Sequence, residues 1–338
     1  MKTKLKDTDF LCISSRLHSA EKDMIGKDKL LRLIEAKSYD EALRLTLEMY
    51  GIQDSADIDY AEILSAELSK AYKFANELIS GIIDLDEKPF YLLNPFRYVY
   101  DCQNLKVAIK CELLGKTTDG LISENGSVSC DDLKAALTSR DFSHFAPNMS
   151  KAASFAIDQL AATGDPQEVD LILDKAAFED MASIADMCNL EYLKELMCYK
   201  ADSVNITTAL RCIKQGKNKN YLNKLLVSGG KLDNDFFLSN YDETIGKLIN
   251  ALAYTEYNGI TKYSEQQSEI TPSEAEKLCS MLYLKKAYGA IRIPFGPELI
   301  ICYIVRKEYE IKNVRIILAG KACGLTAEKI KERLMIEE

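Results

Sequence analysis

Residues 297–322 read PELIICYIVRKEYEIKNVRIILAGKA, and this stretch decides the fold class. Pro297 suits a first helical turn, where the missing N–H costs nothing. Leu299 to Val305 is apolar on every side, which predicts a fully buried helix end. Further on, Ile300, Ile304, Ile311, Val314 and Leu318 share one helical face. Asn313 lies nine residues past Ile304, roughly half a turn from that face at 100° per residue. The stretch predicts one long helix over 297–322.

The same spacing recurs across the chain. Ala56 to Ser80 carries Ile58, Ala61, Ile63, Leu64, Leu68, Ala71, Tyr72, Ala75, Leu78 and Ile79. Steps of three and four like these read as one amphipathic helix. Pro95–Leu114 repeats the style, with Gly115 as its stop. Further helices are predicted at Ser150–Thr163, Pro166–Lys175, Phe178–Asn189, Leu190–Tyr199, Val204–Gln215, Lys219–Val227, Thr244–Thr255, Pro272–Tyr288 and Thr326–Leu334. Pro89, Pro95, Pro147, Pro166, Pro272, Pro294 and Pro297 can all sit between helices or in first turns. Strand-like alternation is nearly absent. The fold class is all-α with short connections.

Composition narrows the function. Gly (16) and Pro (7) together run at about half of average usage, so hinges are few. Lys+Arg 43 against Asp+Glu 52 gives a net charge of −9, the wrong sign for a phosphate-backbone binder, so no nucleic-acid partner is expected. No stretch longer than nine residues, Phe142 to Ser150, is free of charged side chains, and a spanning helix needs about 20 apolar residues. Residues 1–7 are charged and hold no apolar signal core. The ten scattered cysteines read as reduced thiols packed as small hydrophobes.

No catalytic, cofactor or metal site emerges. His18 and His144 are the only histidines, and no C-x-x-C or H-E-x-x-H exists. Gly115-Lys116-Thr117 resembles the end of a phosphate-binding loop, but Lys110 stands where its first glycine should be. A glycine helix cap is the better reading. Asp131-Asp132 starts an aspartate-rich metal motif that Ala135 leaves incomplete, and an acidic first helical turn explains the pair.

A long internal repeat is the positive signal. Asp101-x-x-Asn104-Leu105, Asp202-x-x-Asn205-Ile206 and Glu310-x-x-Asn313-Val314 are followed by Gly115-Lys116, Gly216-Lys217 and Gly320-Lys321. The asparagines are 101 and 108 residues apart. A second mark, Tyr39-Asp40-Glu41, returns 202 residues later as Tyr241-Asp242-Glu243, with Phe142-Ser143-His144 in the middle slot. Chance is the competing reading of each mark alone. A period near 100 exceeds solenoid repeats of about 20–50 residues and predicts three similar helical domains, 1–123, 124–225 and 226–338, with pseudo-threefold symmetry. The N- and C-terminal segments can pack together in the first domain. An acid near a helix start suits the dipole, the trailing glycine suits a cap, and a buried Asn needs backbone partners. Asp101, Asn104, Asp202, Asn205, Glu310 and Asn313 are therefore structural marks.

In order and spacing the chain resembles the C subunit of V/A-type rotary ATPases, known as the d subunit in the eukaryotic vacuolar enzyme. The residues that carry the resemblance are Phe10-Leu-Cys-Ile13-Ser-Ser15-Arg16, Leu33 to Leu43, Tyr98-x-x-Asp101-x-x-Asn104-Leu105-Lys106, Phe178 to Met181, Asp202-x-x-Asn205-Ile206, and Phe295 to Gly320. His18 departs from the second basic residue that relatives carry after Arg16. The resemblance implies a funnel of three helical domains, peripheral on the cytoplasmic face of a membrane. It implies that this protein sits on the membrane rotor ring and receives the foot of the central shaft. Catalysis then belongs to other subunits, and so does the choice of H⁺ or Na⁺ and of pumping or synthesis. A polar shaft interface makes Arg97, Lys106, Lys110, Arg292, Glu298, Lys307 and Glu308 candidate contacts. A cytosolic helical scaffold with other partners is the alternative, and a helical diphosphate enzyme ranks behind it for want of facing carboxylates.

Overall fold

The computed structural model describes residues 10–52, 59–81, 91–267 and 270–336. Pro89 and residues 56–58 of the expected helix 56–80 lie outside them. Among the described residues every regular element is helical. They form two compact units, one within 1–90 and 284–338, the other within 91–283.

The first unit opens with α1 (Leu11–Glu21), α2 (Lys27–Glu35), α3 (Tyr39–Met49) and α4 (Tyr60–Ser80). The second runs through α5 (Asn94–Leu113), α6 (Cys130–Ser139), α7 (Pro147–Thr163), α8 (Pro166–Cys188), α9 (Glu191–Lys214), α10 (Lys219–Leu225), α11 (Asn234–Ser239), α12 (Gly246–Leu252) and α13 (Asn258–Gln267). The division falls within α14 (Pro272–Tyr288), and α15 (Pro297–Ala322) and α16 (Ala327–Lys331) complete the first unit.

α15 is the core of the first unit and packs against α1, α2, α3 and α4. Leu299 through Val305 are all buried, as the unbroken apolar run predicts. Each such side chain taken from water is worth roughly 1.5–3 kcal/mol. Capping fixes the neighbouring starts. Ser38 Oγ accepts from the Glu41 amide at α3, and the Glu41 carboxylate accepts from the Lys37 amide at 2.7 Å.

In the second unit α8 lies against α5 and α7. It is a single helix, where the sequence reading predicts two, because Val169, Leu173, Ala177, Met181 and Ile184 follow one apolar face in steps of three and four straight through the expected gap. α9 likewise runs unbroken through Lys200-Ala-Asp-Ser203, where the sequence predicts a boundary. The acid there is in the core, not at a surface break. α12 is shorter than the expected 244–255 and α16 shorter than 326–334, while α1 to α3 add helix over 11–49, outside every predicted span. Pro95, Pro147, Pro166, Pro272 and Pro297 all stand in first turns.

One repeat mark needs correction. Gly320 is inside α15, not at its end, and a side chain there would come within 2.8 Å of Ile330 Cγ1 on α16. The cap is Gly324 at φ 69°. Its N–H bonds the Lys321 carbonyl at 3.0 Å, and the Leu325 N–H bonds the Gly320 carbonyl at 2.9 Å. Gly115 and Gly216 close α5 and α9 in the same way, both at φ 62°, through the Lys116–Cys111 and Lys217–Cys212 bonds at 2.9 Å. Each cap follows its asparagine by eleven residues: Asn104 to Gly115, Asn205 to Gly216, Asn313 to Gly324.

Candidate functional site

The six acid and asparagine marks lie on α5, α9 and α15, and all six are buried. Each asparagine is bound to one later residue by a reciprocal pair of hydrogen bonds. Asn104 Nδ2 donates to the Ser123 carbonyl and its Oδ1 accepts from the Ser123 amide, both at 2.8 Å. Asn205 treats Val227 identically at 2.9 Å. Asn313 does the same to Met335, at 2.8 and 2.9 Å. A buried backbone N–H and C=O that would otherwise lack partners are satisfied together, which is why the residue must be both donor and acceptor.

The acid one turn earlier on each helix grips backbone further along. Asp101 accepts from the Val128 amide at 3.2 Å and from the Ser127 hydroxyl. Asp202 accepts from the Lys231 and Leu232 amides, both at 3.1 Å, and from the Tyr257 hydroxyl at 2.9 Å. Glu310 instead reaches back in sequence, accepting from the Ile25 amide at 3.1 Å, the Tyr50 hydroxyl at 3.0 Å and Lys307 Nζ at 2.8 Å. Burial is the chief influence on both aspartates. It raises the Asp101 pKa against the pull of its Ser127 and Val128 bonds, and it raises that of Asp202 to about 6. Burial and Glu310 likewise raise the Tyr50 hydroxyl.

The seven contact candidates fare differently. Arg97 donates to the Asn125 carbonyl at 3.2 Å and to that of Gly126. Lys106 and Lys110, one turn apart on α5, pair with Asp174 and Asp170, one turn apart on α8, at 2.5 and 2.6 Å. Burial opposes the Lys106 charge, and Cys102, Asp174 and Asp170 outweigh it and raise its pKa. Lys307 is buried beside Glu310, and Glu308 accepts from the Tyr72 hydroxyl at 2.6 Å. Arg292 is exposed and Glu298 half-buried. Five of the seven thus have partners inside the chain. The sequence could not show this, because the partners of Lys106 and Lys110 lie 60 or more residues away.

Asp131 and Asp132 lie in the first turn of α6, where Ser129 accepts from the Asp132 amide. His18 and His144 are exposed. Among the described residues no three His, Cys, Asp or Glu side chains are grouped to hold a metal ion. No helix among them is long and apolar enough to cross a membrane.

The profile of the family described as ATP synthase (C/AC39) subunit matches residues 13–333. The C subunit of the V-type sodium ATPase of Enterococcus hirae is 25% identical over 323 residues, which is 94% of this chain and 95% of that protein. The C subunit of the A-type ATP synthase of Methanocaldococcus jannaschii is 23% identical over 346 residues, covering 96% and 85%. The C subunit of the V-type ATP synthase of Thermus thermophilus is 19% identical over 239 residues, covering 70% and 71%.

Proposed function

The chain belongs to the ATP synthase (C/AC39) subunit family of V/A-type ATPases, and we propose that it is the passive coupling element of such a machine. In that role it stands on the cytoplasmic face of the membrane rotor ring, receives the central shaft and passes rotation between them. It makes and breaks no covalent bond itself. Similarity along most of the chain to three C subunits is the observation that carries the reading.

The physical features agree with such a role. A torque coupling must resist deformation, and long helices with close-packed interiors do so. α8, α9 and α15 run 23, 24 and 26 residues without a proline past the first turn. Attachment through the ring's protein surface suits a chain whose described helices do not span, and its net charge of −9 disfavours anionic headgroups as the main anchor.

We further propose three similar helical domains, close to 1–123, 124–225 and 226–338, around a pseudo-threefold axis. The three Asn clamps with their matched caps support this. Along the chain, α2 to α4 precede α5 as α6 to α8 precede α9.

The test uses the full chain as bait for the solubilised rotor ring and the purified shaft. Retention of both is expected. Failure to retain either would favour the scaffold reading and reject the coupling role.

A further inference from the structure

We propose that the Glu310 carboxylate is a latch that fastens the segment ending at Ile25 onto α15, completing across the sequence the loop that Asp101 and Asp202 each hold in continuous chain. On this reading, residues 10–25 are the part of the first unit that comes away first.

Three independent registers place Ile25 where Val128 and Leu232 stand. All three donate their amide to the acid that lies three residues before a clamping asparagine. All three are followed at once by a helix cap position, Gly26, Ser129 or Asp233, and then by α2, α6 or α11. Tyr50 lies 25 residues past Ile25, as Tyr257 lies 25 past Leu232, and each gives its hydroxyl to the same carboxylate that takes the amide.

The joints differ in their covalent continuity. From Ser123 to Val128, and from Val227 to Leu232, the clamped residues are five apart. Met335 and Ile25 sit at corresponding places with nearly the whole chain between them. Opening the Asp101 or Asp202 joint frees a short loop tethered at both ends. The Glu310 joint holds a helix-bearing arm that no short loop ties to Met335, so more backbone is set free when it opens. The acid here is correspondingly longer and better supported. Glu310 reaches three donors, as Asp202 does, but one of them is the Lys307 ammonium, which also lies 4.9 Å from the Tyr50 ring centroid. Arg306 adds an ion pair to Glu21 on the arm itself.

The inference rests on the repeat reading and not on the rotary role, so it is tested on the isolated full chain by hydrogen exchange. Glu310→Ala should speed exchange of the Ile25 amide and of residues 10–25 about ten-fold or more, with Val128 and Leu232 unchanged. Tyr50→Phe should do the same to a smaller degree and guards against a variant that fails to fold. Asp202→Ala should release Leu232 and leave Ile25 protected. Unaltered Ile25 exchange in both Glu310→Ala and Tyr50→Phe, or loss of protection spread evenly over the chain, would overturn the latch. Failure of Asp202→Ala to release Leu232 would instead strike the repeat reading.

Discussion

Gly126 lies so close to the Asp101 carboxylate that no side chain fits between them, and Gly230 stands in the same relation to Asp202. The acid and the glycine define one site twice. Gly126→Ala or Gly230→Ala should push the carboxylate off its amide donors and cost about 2–4 kcal/mol. Chemical denaturation of each variant measures this. A loss below about 0.5 kcal/mol would mean the loop relaxes freely.

Asn205→Ala should remove two bonds and strand the Val227 N–H and C=O in the core, a loss of about 2–4 kcal/mol. Asn205→Asp keeps the acceptor but loses the donor and adds a buried charge, so it should not rescue. An Asp variant as stable as wild type would refute the reciprocal clamp.

Asp202 supplies a pH signature. Its folded pKa is about 6 against 3.8 as the ordinary value, raised by burial. Between those values the folded protein holds a proton that the unfolded chain has released. Its contribution is therefore full below pH 3.8 and is lost as pH rises through 6, by up to about 3 kcal/mol. Relative to Asp202→Asn, which cannot titrate, wild type should lose stability from about pH 4 to 7. A carboxyl carbon titrating below about pH 4 by NMR would contradict this.

Thiol labelling provides a check on the packing. Cys12 and Cys323 are exposed, whereas Cys102, Cys111, Cys130, Cys212, Cys279 and Cys302 are buried. Burial also raises the Cys102 and Cys279 thiols to about 12. At neutral pH the folded chain should react promptly at Cys12 and Cys323, more slowly at the half-buried Cys188 and Cys198, whose thiols burial also raises, and at the buried thiols after denaturation. Prompt modification of Cys102 or Cys279 would show that α5 or α14 is not packed as described.

The contact candidates divide into two classes with different outcomes. On the proposed coupling role, Lys106→Met and Lys110→Met should lower stability without changing affinity for the ring or shaft, since their charges are met by Asp174 and Asp170. Reversing Arg292 and Glu298 together should leave the melting temperature within a few degrees and weaken transport per ATP hydrolysed. Coupling that is unchanged in the reversed pair would remove both residues from the interface.

Helix class was legible because it needs only local spacing, and the limits of α14 and α15 match their expected spans to the residue. What escaped involved groups brought together from afar. A buried acid such as Asp202 reads along the sequence as a surface break, which splits α9 in two on periodicity alone. Gly320 and Gly324 are indistinguishable as letters until Ile330 is seen lying over the first. The destination of a lysine on α5 is written in α8.

The asparagine clamps grip peptide groups and not side chains. Ser123, Val227 and Met335 accordingly differ in side chain, one a hydroxyl, one a β-branched aliphatic and one a thioether, although they occupy one role. Evolutionary drift can change the gripped side chains and leave the architecture untouched, provided that glycines such as Gly126 and Gly230 are kept. Ancestry by duplication would then survive as scattered punctuation, an acid, an amide and a glycine per copy, in a text whose words have all changed.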